Sequence, residues 1–357
     1  MKRKLKVIDL FSGCGGFSYG FQSAGFHVML GVDNDKAALT TFKENHKGSK
    51  VFLADLHRDQ AIDEIVNMIG GEKVDVIIAG PPCQGFSLTG TRKKNDERNK
   101  LFNAVFKLAR RVNPQAIIIE NVPGLAALYD GFAKNAILDE FANMGFTYNS
   151  QVLFAPDYEV PQIRKRLFFV GLKPGLGKFE FPEPVLKDNI YNSCSDAISD
   201  LPARISEVGL EEDQYSRNPI TTYQIKMRNG SDILYNHVAT RHTPHVINVI
   251  SQVPEGGNHK DLPAGVGDSR KFNEAWTRYH SQKPSKTIDT GHRNHFHYQY
   301  CRIPTVRENA RLQSFPDSFK VFGTRTQQYK QIGNAVPPLL GFHIANKLKD
   351  YLVLQEK

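Results

Sequence analysis

Cys83 stands behind two prolines in Gly80-Pro81-Pro82-Cys83-Gln84-Gly85-Phe86-Ser87. Paired prolines fix the backbone just ahead of a thiol while Gly85 leaves the chain beyond it free to move, which is how a nucleophile is held for attack. A single buried cysteine is more often inert packing, so this reading needs a second group. Glu120, in Glu120-Asn121-Val122-Pro123, supplies one if both segments end neighbouring strands, because its carboxyl group then comes close to the thiol. A further feature is the glycine-rich run Asp9-Leu10-Phe11-Ser12-Gly13-Cys14-Gly15-Gly16. Ser18 stands where a Gly-x-Gly-x-x-Gly pattern needs its third glycine, and no Lys-Ser/Thr follows. Such a loop lets a ligand approach the backbone without being built for a pyrophosphate. Asp33 is placed to accept hydrogen bonds from a ribose diol, and Asp55 to accept one from an adenine amino group. Each aspartate alone reads equally well as a cap or turn residue. At three consecutive strand ends, loop and acids together point to an adenosine-containing ligand without phosphates.

Those ends require strands. Five short Val- and Ile-rich runs, 5–10, 28–32, 51–54, 74–79 and 116–120, read as buried strands, with helical patterns at 37–44, 61–69 and 101–112 between them. Strand alternating with helix gives a parallel α/β sheet with right-handed crossovers, whose carboxyl edge is where such folds bind ligands. Runs 151–154 and 167–172 are candidates for a hairpin at the sheet edge, and 339–352 closes as a helix. After Lys173-Pro174-Gly175 the pattern changes. Residues 178–213 hold three basic and nine acidic side chains, whereas 214–302 hold twelve basic, six acidic and eight of the twelve histidines. That contrast reads as a separate small domain with a basic face, or as charges that simply solvate a loop-rich surface. His292, His295 and His297 form an H-x-x-H-x-H cluster, but no acid or cysteine nearby completes a ligand set, so no metal is expected.

A chain of 357 residues, 40% apolar and with a formal charge of +9, is folded rather than disordered, and its charge favours a polyanionic partner. No apolar run approaches the ~18 residues of a membrane helix, and the basic opening leads only into Leu5 to Ile8 before Asp9 interrupts it. Neither a membrane span nor a signal peptide is expected, which places the chain in the cytoplasm. Four cysteines without a C-x-x-C pair argue against a disulfide framework or a structural zinc site.

Read in order, DLFSGCGG, GPPCQGFS, ENV, Gln162-Ile-Arg164-Lys-Arg166, Arg307-Glu-Asn-Ala-Arg311-Leu-Gln313-Ser-Phe-Pro316 and Gln331-Ile-Gly333-Asn334-Ala-Val-Pro-Pro338 resemble the DNA (cytosine-5)-methyltransferase family. The six blocks keep the family's order and span Asp9 to Pro338, apart from 178 to about 289, where family members carry their target-recognition region. The resemblance implies an α/β fold: a Rossmann-like S-adenosylmethionine-dependent methyltransferase sheet with an inserted smaller target-recognition domain. Its parts would be a catalytic domain over 1–177, the recognition domain over 178–302, and a C-terminal segment, 303–357, returning to the catalytic domain. It also implies that Cys83 attacks carbon 6 of cytosine, making carbon 5 able to accept a methyl group. Glu120 would hold or protonate ring nitrogen 3, and Arg166, with Arg164, would grip the cytosine carbonyl oxygen. Phe11, Gly13, Gly15, Asp33, Asp55, Leu101 and Asn334 would line the S-adenosylmethionine pocket. Cys14 lies on that cofactor side and is rejected as the nucleophile.

By the same resemblance, Ser87 to Lys100, with five Lys/Arg against two acids, is the catalytic loop that closes over DNA phosphates, or else a solvated lysine-rich loop. Ser87, Arg92 and Arg98 would touch DNA there, while Arg241, Arg270, Lys271, Arg278, Lys283 and Arg293 are candidate contacts in the variable region, with Trp276 and Tyr279 as its small core. Two positions depart from the family's pattern: Glu159 stands where glycine is common, and Gln299-Tyr-Cys301-Arg302 replaces a His-Pro stretch. The implied substrate is double-stranded DNA with the target cytosine flipped out. The compact length looks like a monomeric bacterial or phage modification enzyme paired with a restriction endonuclease. A transfer-RNA cytosine-5 methyltransferase would share these motifs, and a catalytically silent DNA-binding relative would share the fold. The length of the recognition region favours DNA, and retention of Cys83, Glu120 and both arginines favours an enzyme.

Overall fold

The computed structural model describes residues 3–82, 100–127, 131–187, 190–266, 275–291 and 294–352. Continuous Val- and Ile-rich runs suit strands covered on both faces. They form β1 (Lys6–Leu10), β2 (His27–Asp33), β3 (Lys50–Leu53), β4 (Val76–Ala79) and β5 (Ala116–Asn121). Helices alternate with them as α1 (Gly16–Ser23), α2 (Lys36–Asn45), α3 (Gln60–Ile69) and α4 (Lys100–Val112). Then come α5 (Phe132–Asn143) and two antiparallel strands, β6 (Thr147–Phe154) and β7 (Lys165–Leu172). The seven strands make one sheet in the order β3-β2-β1-β4-β5-β7-β6, the first five parallel and β7 antiparallel to both neighbours.

The expected hairpin exists, but it is wider and placed differently. β6 starts at residue 147 rather than 151, and β7 lies inside the sheet with β6 alone at the edge. Local chemistry fixes the helix ends. The Asp35 side chain accepts the Ala37 and Ala38 amides at 3.0 and 3.2 Å to start α2, and Gly70 closes α3 in the left-handed region at φ 63°. α3 buries Ala61, Ile62, Ile65 and Ile69, and with α4 and α5 covers Ile8, Leu10, Ile77, Ile117, Ile119 and Phe169 on one face of the sheet. On the other face Phe17 of α1 meets Phe168 at 5.9 Å.

The chain divides into two compact units. The first is Met1–Phe154, Lys165–Glu183 and Leu340–Lys357; the second is Ala155–Arg164 and Pro184–Leu339. The C-terminal return to the first unit therefore begins at Leu340 and not at 303. Its helix α11 (Pro338–Leu348) approaches α1 so closely at Gly341 that a Cβ there would lie 3.1 Å from Phe17.

The second unit has α6 (Cys194–Ile198), α7 (Thr222–Arg228), α8 (Pro244–Gln252), α9 (Val306–Leu312) and α10 (Arg325–Asn334), with two-residue strand pairs β8 (Glu212–Asp213)/β9 (Leu234–Tyr235) and β10 (Thr277–Arg278)/β11 (His295–Phe296). Buried ion pairs organise it. Arg311 is bidentate to Asp317 at 2.8 and 2.7 Å and also bonds Asp200, and Arg302 is bidentate to Glu308 at 2.7 and 2.6 Å. Such networks hold when every partner is present and fail badly when one is removed.

Candidate active site

β1 ends in a turn that no ordinary residue sequence would favour: Phe11, Gly13 and Gly15 all have positive φ, at 59°, 53° and 92°. The turn is tied down from β2. Ser12 N–H donates to the Val32 carbonyl at 3.0 Å, and Gly13 N–H donates to Asp33 Oδ2 at 2.8 Å, while Asp33 Oδ1 accepts the Asp35 amide at 2.8 Å. Burial raises the Asp33 pKa against the pull of those amides. Behind the loop, the buried Asp9 carboxyl takes the Ser18 hydroxyl, and burial pushes its pKa up to about 8. Cys14 is buried too, its thiol pushed up to about 12 by desolvation, which suits packing and not nucleophilic attack.

The two loop glycines differ in what surrounds them. A Cβ on Gly15 would overlap the His46 ring, whereas a Cβ on Gly13 would meet nothing within 4 Å. Gly13 therefore faces an open cradle beside the Asp33 carboxylate. After β3, the exposed Asp55 accepts the His57 amide at 3.0 Å and faces its Nδ1 at 2.9 Å; the amide and imidazole lower its pKa. Leu101 is buried in the first turn of α4. Acceptors, a glycine cradle and no basic side chain in the loop fit a ligand whose polar parts are hydroxyls and amines rather than phosphates.

Further along the same carboxyl edge, β4 runs into the Gly80-Pro81-Pro82 turn. Its pairing puts Ala79 beside Ile119, so Gly80 falls next to Glu120, and a Cβ on Gly80 would lie 3.5 Å from Glu120 Oε2. Asn121, buried, donates from Nδ2 to the Pro81 carbonyl at 3.0 Å and accepts the Val122 amide at 2.9 Å, so the proline turn is tethered to the end of β5. From the antiparallel neighbour β7, Arg166 Nε reaches Glu120 Oε1 at 2.9 Å, with both side chains largely buried. Arg166 Nη1 also donates to the Lys165 carbonyl at 2.7 Å, which fixes the guanidinium plane. Glu120, Arg166 and the turn that leads to Cys83 are thus brought together. Cys83 itself lies outside the described residues, as do Ser87, Arg92, Arg98, Arg270, Lys271, His292 and Arg293.

Arg164, paired with Arg166 in the sequence reading, sits in the second unit. Its fully buried guanidinium donates to the Gly333 carbonyl at 3.2 Å from both Nη1 and Nη2, and to the Ala335 carbonyl at 3.0 Å. It clamps the end of α10, which leaves Asn334 exposed between the two held carbonyls. Arg278 corrects an expectation: it is buried and donates to the Ile250 carbonyl at 2.7 Å and to Cys301, which commits it to the fold and not to phosphate. Arg241 and Lys283 are exposed. His295 lies 3.1 Å from the Tyr279 hydroxyl, and His297 stacks on Tyr298 and Tyr300 beside Glu308, its pKa lowered to about 3 by burial. Tyr279 is buried and Trp276 half-buried. Sequence reasoning missed the tether from Asn121, although the residue lay inside a motif it used, and missed His46, whose lone position just after α2 gives no spacing signal.

The model for C-5 cytosine-specific DNA methylase matches residues 5–350. The type II methyltransferase M.DdeI of Desulfomicrobium norvegicum is 37% identical over 97% of this chain and 89% of its own length. The type II methyltransferase M1.HphI of Haemophilus parahaemolyticus is 38% identical over 96% of this chain and 86% of its own. Among solved structures, one described as a DNA modification methyltransferase encoded within an E. coli prophage superposes with a TM-score of 0.79 at 26% identity, covering 98% of this chain and 99% of that one.

Proposed function

The chain belongs to the C-5 cytosine-specific DNA methylase family, and from that premise we propose that Cys83, Glu120 and Arg166 carry its chemistry and that the Phe11–Gly15 loop holds its methyl donor. The enzyme is a DNA (cytosine-5)-methyltransferase of the type II restriction-modification kind, and the transfer-RNA alternative is not favoured.

Methyltransferases of this family and fold use S-adenosylmethionine, which, when bound, supplies a methyl group made electrophilic by its sulfonium. The open cradle at Gly13 and the Asp33 carboxylate fit that ligand: the backbone admits it closely, and the free lone pairs of Asp33 accept from its hydroxyls. Phe11, Leu101 and Asp55 are assigned to the same pocket. On the substrate side, Cys83 as thiolate adds to carbon 6 of an extruded cytosine, and the electron pair of the 5,6 double bond becomes available at carbon 5. Glu120 faces ring nitrogen 3 and keeps charge from building up on the ring, while Arg166 holds Glu120 in place and meets the cytosine carbonyl oxygen. After transfer, loss of the carbon-5 proton to a base expels the Cys83 sulfur and restores the double bond.

We further assign target recognition to the second unit, DNA phosphate contacts to Arg241 and to the basic segment 87–100, and the working form to a cytoplasmic monomer with a cognate restriction endonuclease. The observation that carries the reading is the Arg166–Glu120 pair set against a proline turn that Asn121 ties to the same strand end. Its test is covalent trapping on duplex DNA containing 5-fluorocytosine in the presence of S-adenosylmethionine. The wild type should form a stable adduct, and Cys83→Ala should form none while binding S-adenosylmethionine normally. Turnover by Cys83→Ala would remove the nucleophile assignment.

A further inference from the structure

Gly15 and Gly31 have no room for a side chain, and one pair of rings accounts for both. A Cβ on Gly15 would overlap His46 Cε1 and lie 2.8 Å from Phe42 Cδ2; a Cβ on Gly31, inside β2, would lie 2.5 Å from Phe42 Cζ. Phe42 and His46 are one turn apart at the end of α2, stacked with centroids 4.1 Å apart and planes 17° apart, and both are fully buried. The His46 ring also meets Tyr19 of α1 edge-on, at 6.0 Å and 82°. The stack therefore fills the space from β2 to the donor loop and the start of α1.

A histidine does this better than another flat ring for a specific reason. Its Nδ1 lies 2.9 Å from the Phe42 carbonyl, so that nitrogen carries the proton and donates, adding to the bond the same carbonyl receives from the His46 amide at 2.9 Å. Burial lowers the His46 pKa to about 4, so the ring is neutral at physiological pH and has only one proton to give. Bonded at one edge and stacked on one face, it is a spacer of fixed thickness and orientation. Gly15 rests on it at φ 92°, and Gly13, two residues back, presents the open cradle with its amide on Asp33. A shift at Gly15 is transmitted through one intervening residue to that cradle.

We propose that His46 is a positioning residue for the methyl-donor loop: its ring sets the height of Gly15, and thereby the shape of the Gly13 cradle and the affinity for S-adenosylmethionine, without touching the ligand or the cytosine. The proposal rests on the reading of that loop as the donor's site. Two substitutions reach the stack from opposite sides. His46→Asn keeps a donor for the Phe42 carbonyl and removes the ring; Gly31→Ala keeps His46 and presses on Phe42 from β2. Each should raise the S-adenosylmethionine Kd, measured calorimetrically, by roughly tenfold or more, since sub-ångström misplacement is costly in such sites. Turnover at saturating donor and the KM for DNA should stay within about twofold of wild type. Adding Phe42→Leu to Gly31→Ala makes room again and should recover most of the affinity, a coupling that general loosening of the fold would not produce. Unchanged donor affinity in both variants, or a loss shared equally by kcat and the KM for DNA with no recovery in the double variant, overturns the proposal. A wild-type protein that binds no S-adenosylmethionine overturns the reading of the loop as well, whereas normal wild-type binding with insensitive variants overturns only the role of His46.

Discussion

Replacing Arg166 by alanine tests the electrostatics of the site most directly. Its Nε stands 2.9 Å from Glu120 Oε1, with the two side chains 14% and 13% exposed. At an effective dielectric of ~20, two unit charges at that distance attract by about 6 kcal/mol before solvation is counted. Residual water access and the solvation each group regains reduce this, and losing one partner of a mostly buried pair, or one preorganised donor of an active site, typically costs about 3 kcal/mol. We therefore expect Arg166→Ala to lower kcat by roughly a hundredfold. The donor's Kd should be unaffected, because the Gly13 cradle is tied to Asp33 and not to Glu120. Arg166→Lys keeps the charge but not the guanidinium fork that bonds the Lys165 carbonyl, and should fall between, near tenfold. Single-turnover transfer of labelled methyl groups at saturating donor, with calorimetry of donor binding alongside, separates the two quantities. If Arg166→Ala kept kcat within threefold of wild type, or lost donor affinity in proportion to rate, the assignment of Glu120 and Arg166 to the cytosine would be refuted.

In the second unit, Arg311→Leu would take the bidentate cation from buried Asp317, leaving only Arg307 at 3.9 Å, and one of two cations from buried Asp200, which keeps Arg228; breaking such a buried network costs about 3–5 kcal/mol and should lower the melting temperature by roughly 6–20 °C; a drop below 3 °C would contradict it. Stability should peak near pH 6.5. Burial holds His46 and His237 down to about 4 and His297 to about 3, so the folded chain binds fewer protons than the unfolded one below 6.5 and loses stability as pH falls. Asp9, raised to about 8, and Asp33, also raised by burial, act with the opposite sign, so the loss on the acid side is the surplus of three histidines over two acids, and Asp9 makes an alkaline limb up to about pH 8. Denaturant titrations at pH 5, 6.5 and 8 check this, and Asp9→Asn should flatten the limb from 6.5 to 8. From the basic segment 87–100 and Arg241, affinity for duplex DNA should fall at least tenfold between 50 and 200 mM salt in a filter-binding assay, and a flat response would argue against phosphate contacts.

The sheet was legible because buried parallel strands announce themselves as unbroken Val/Ile runs, and Asp33 and Glu120 could be placed at its carboxyl edge because they sit where those runs stop. The misreadings have equally local causes. α5 buries only Ala133, Ile137 and Phe141, a thin stripe interrupted by polar residues. Arg164 and Arg166 look equivalent two residues apart, yet β7 begins at Lys165, so one side chain joins the sheet edge and the other turns to carbonyls in a different unit. The second unit resisted reading because its order comes from buried polar pairs instead of apolar period. Arg228, Arg278 and Arg302, counted as a basic face, are committed inward to Asp200, to the Ile250 carbonyl and to Glu308. Charge counts describe composition; which charges meet solvent is decided by pairing at long sequence separation.

The late return of α11 bears on how the protein is made. Every strand of the seven-stranded sheet has been synthesised by Leu172, but Gly341, the residue that lets a helix lie against Phe17, leaves the ribosome only after the whole second unit has been translated. For that interval Phe17 and its neighbours on one face of the nascent sheet lack their cover. Premature termination or proteolysis anywhere before residue 340 would therefore release a fragment with an apolar face open to self-association, even though all of its strands are present.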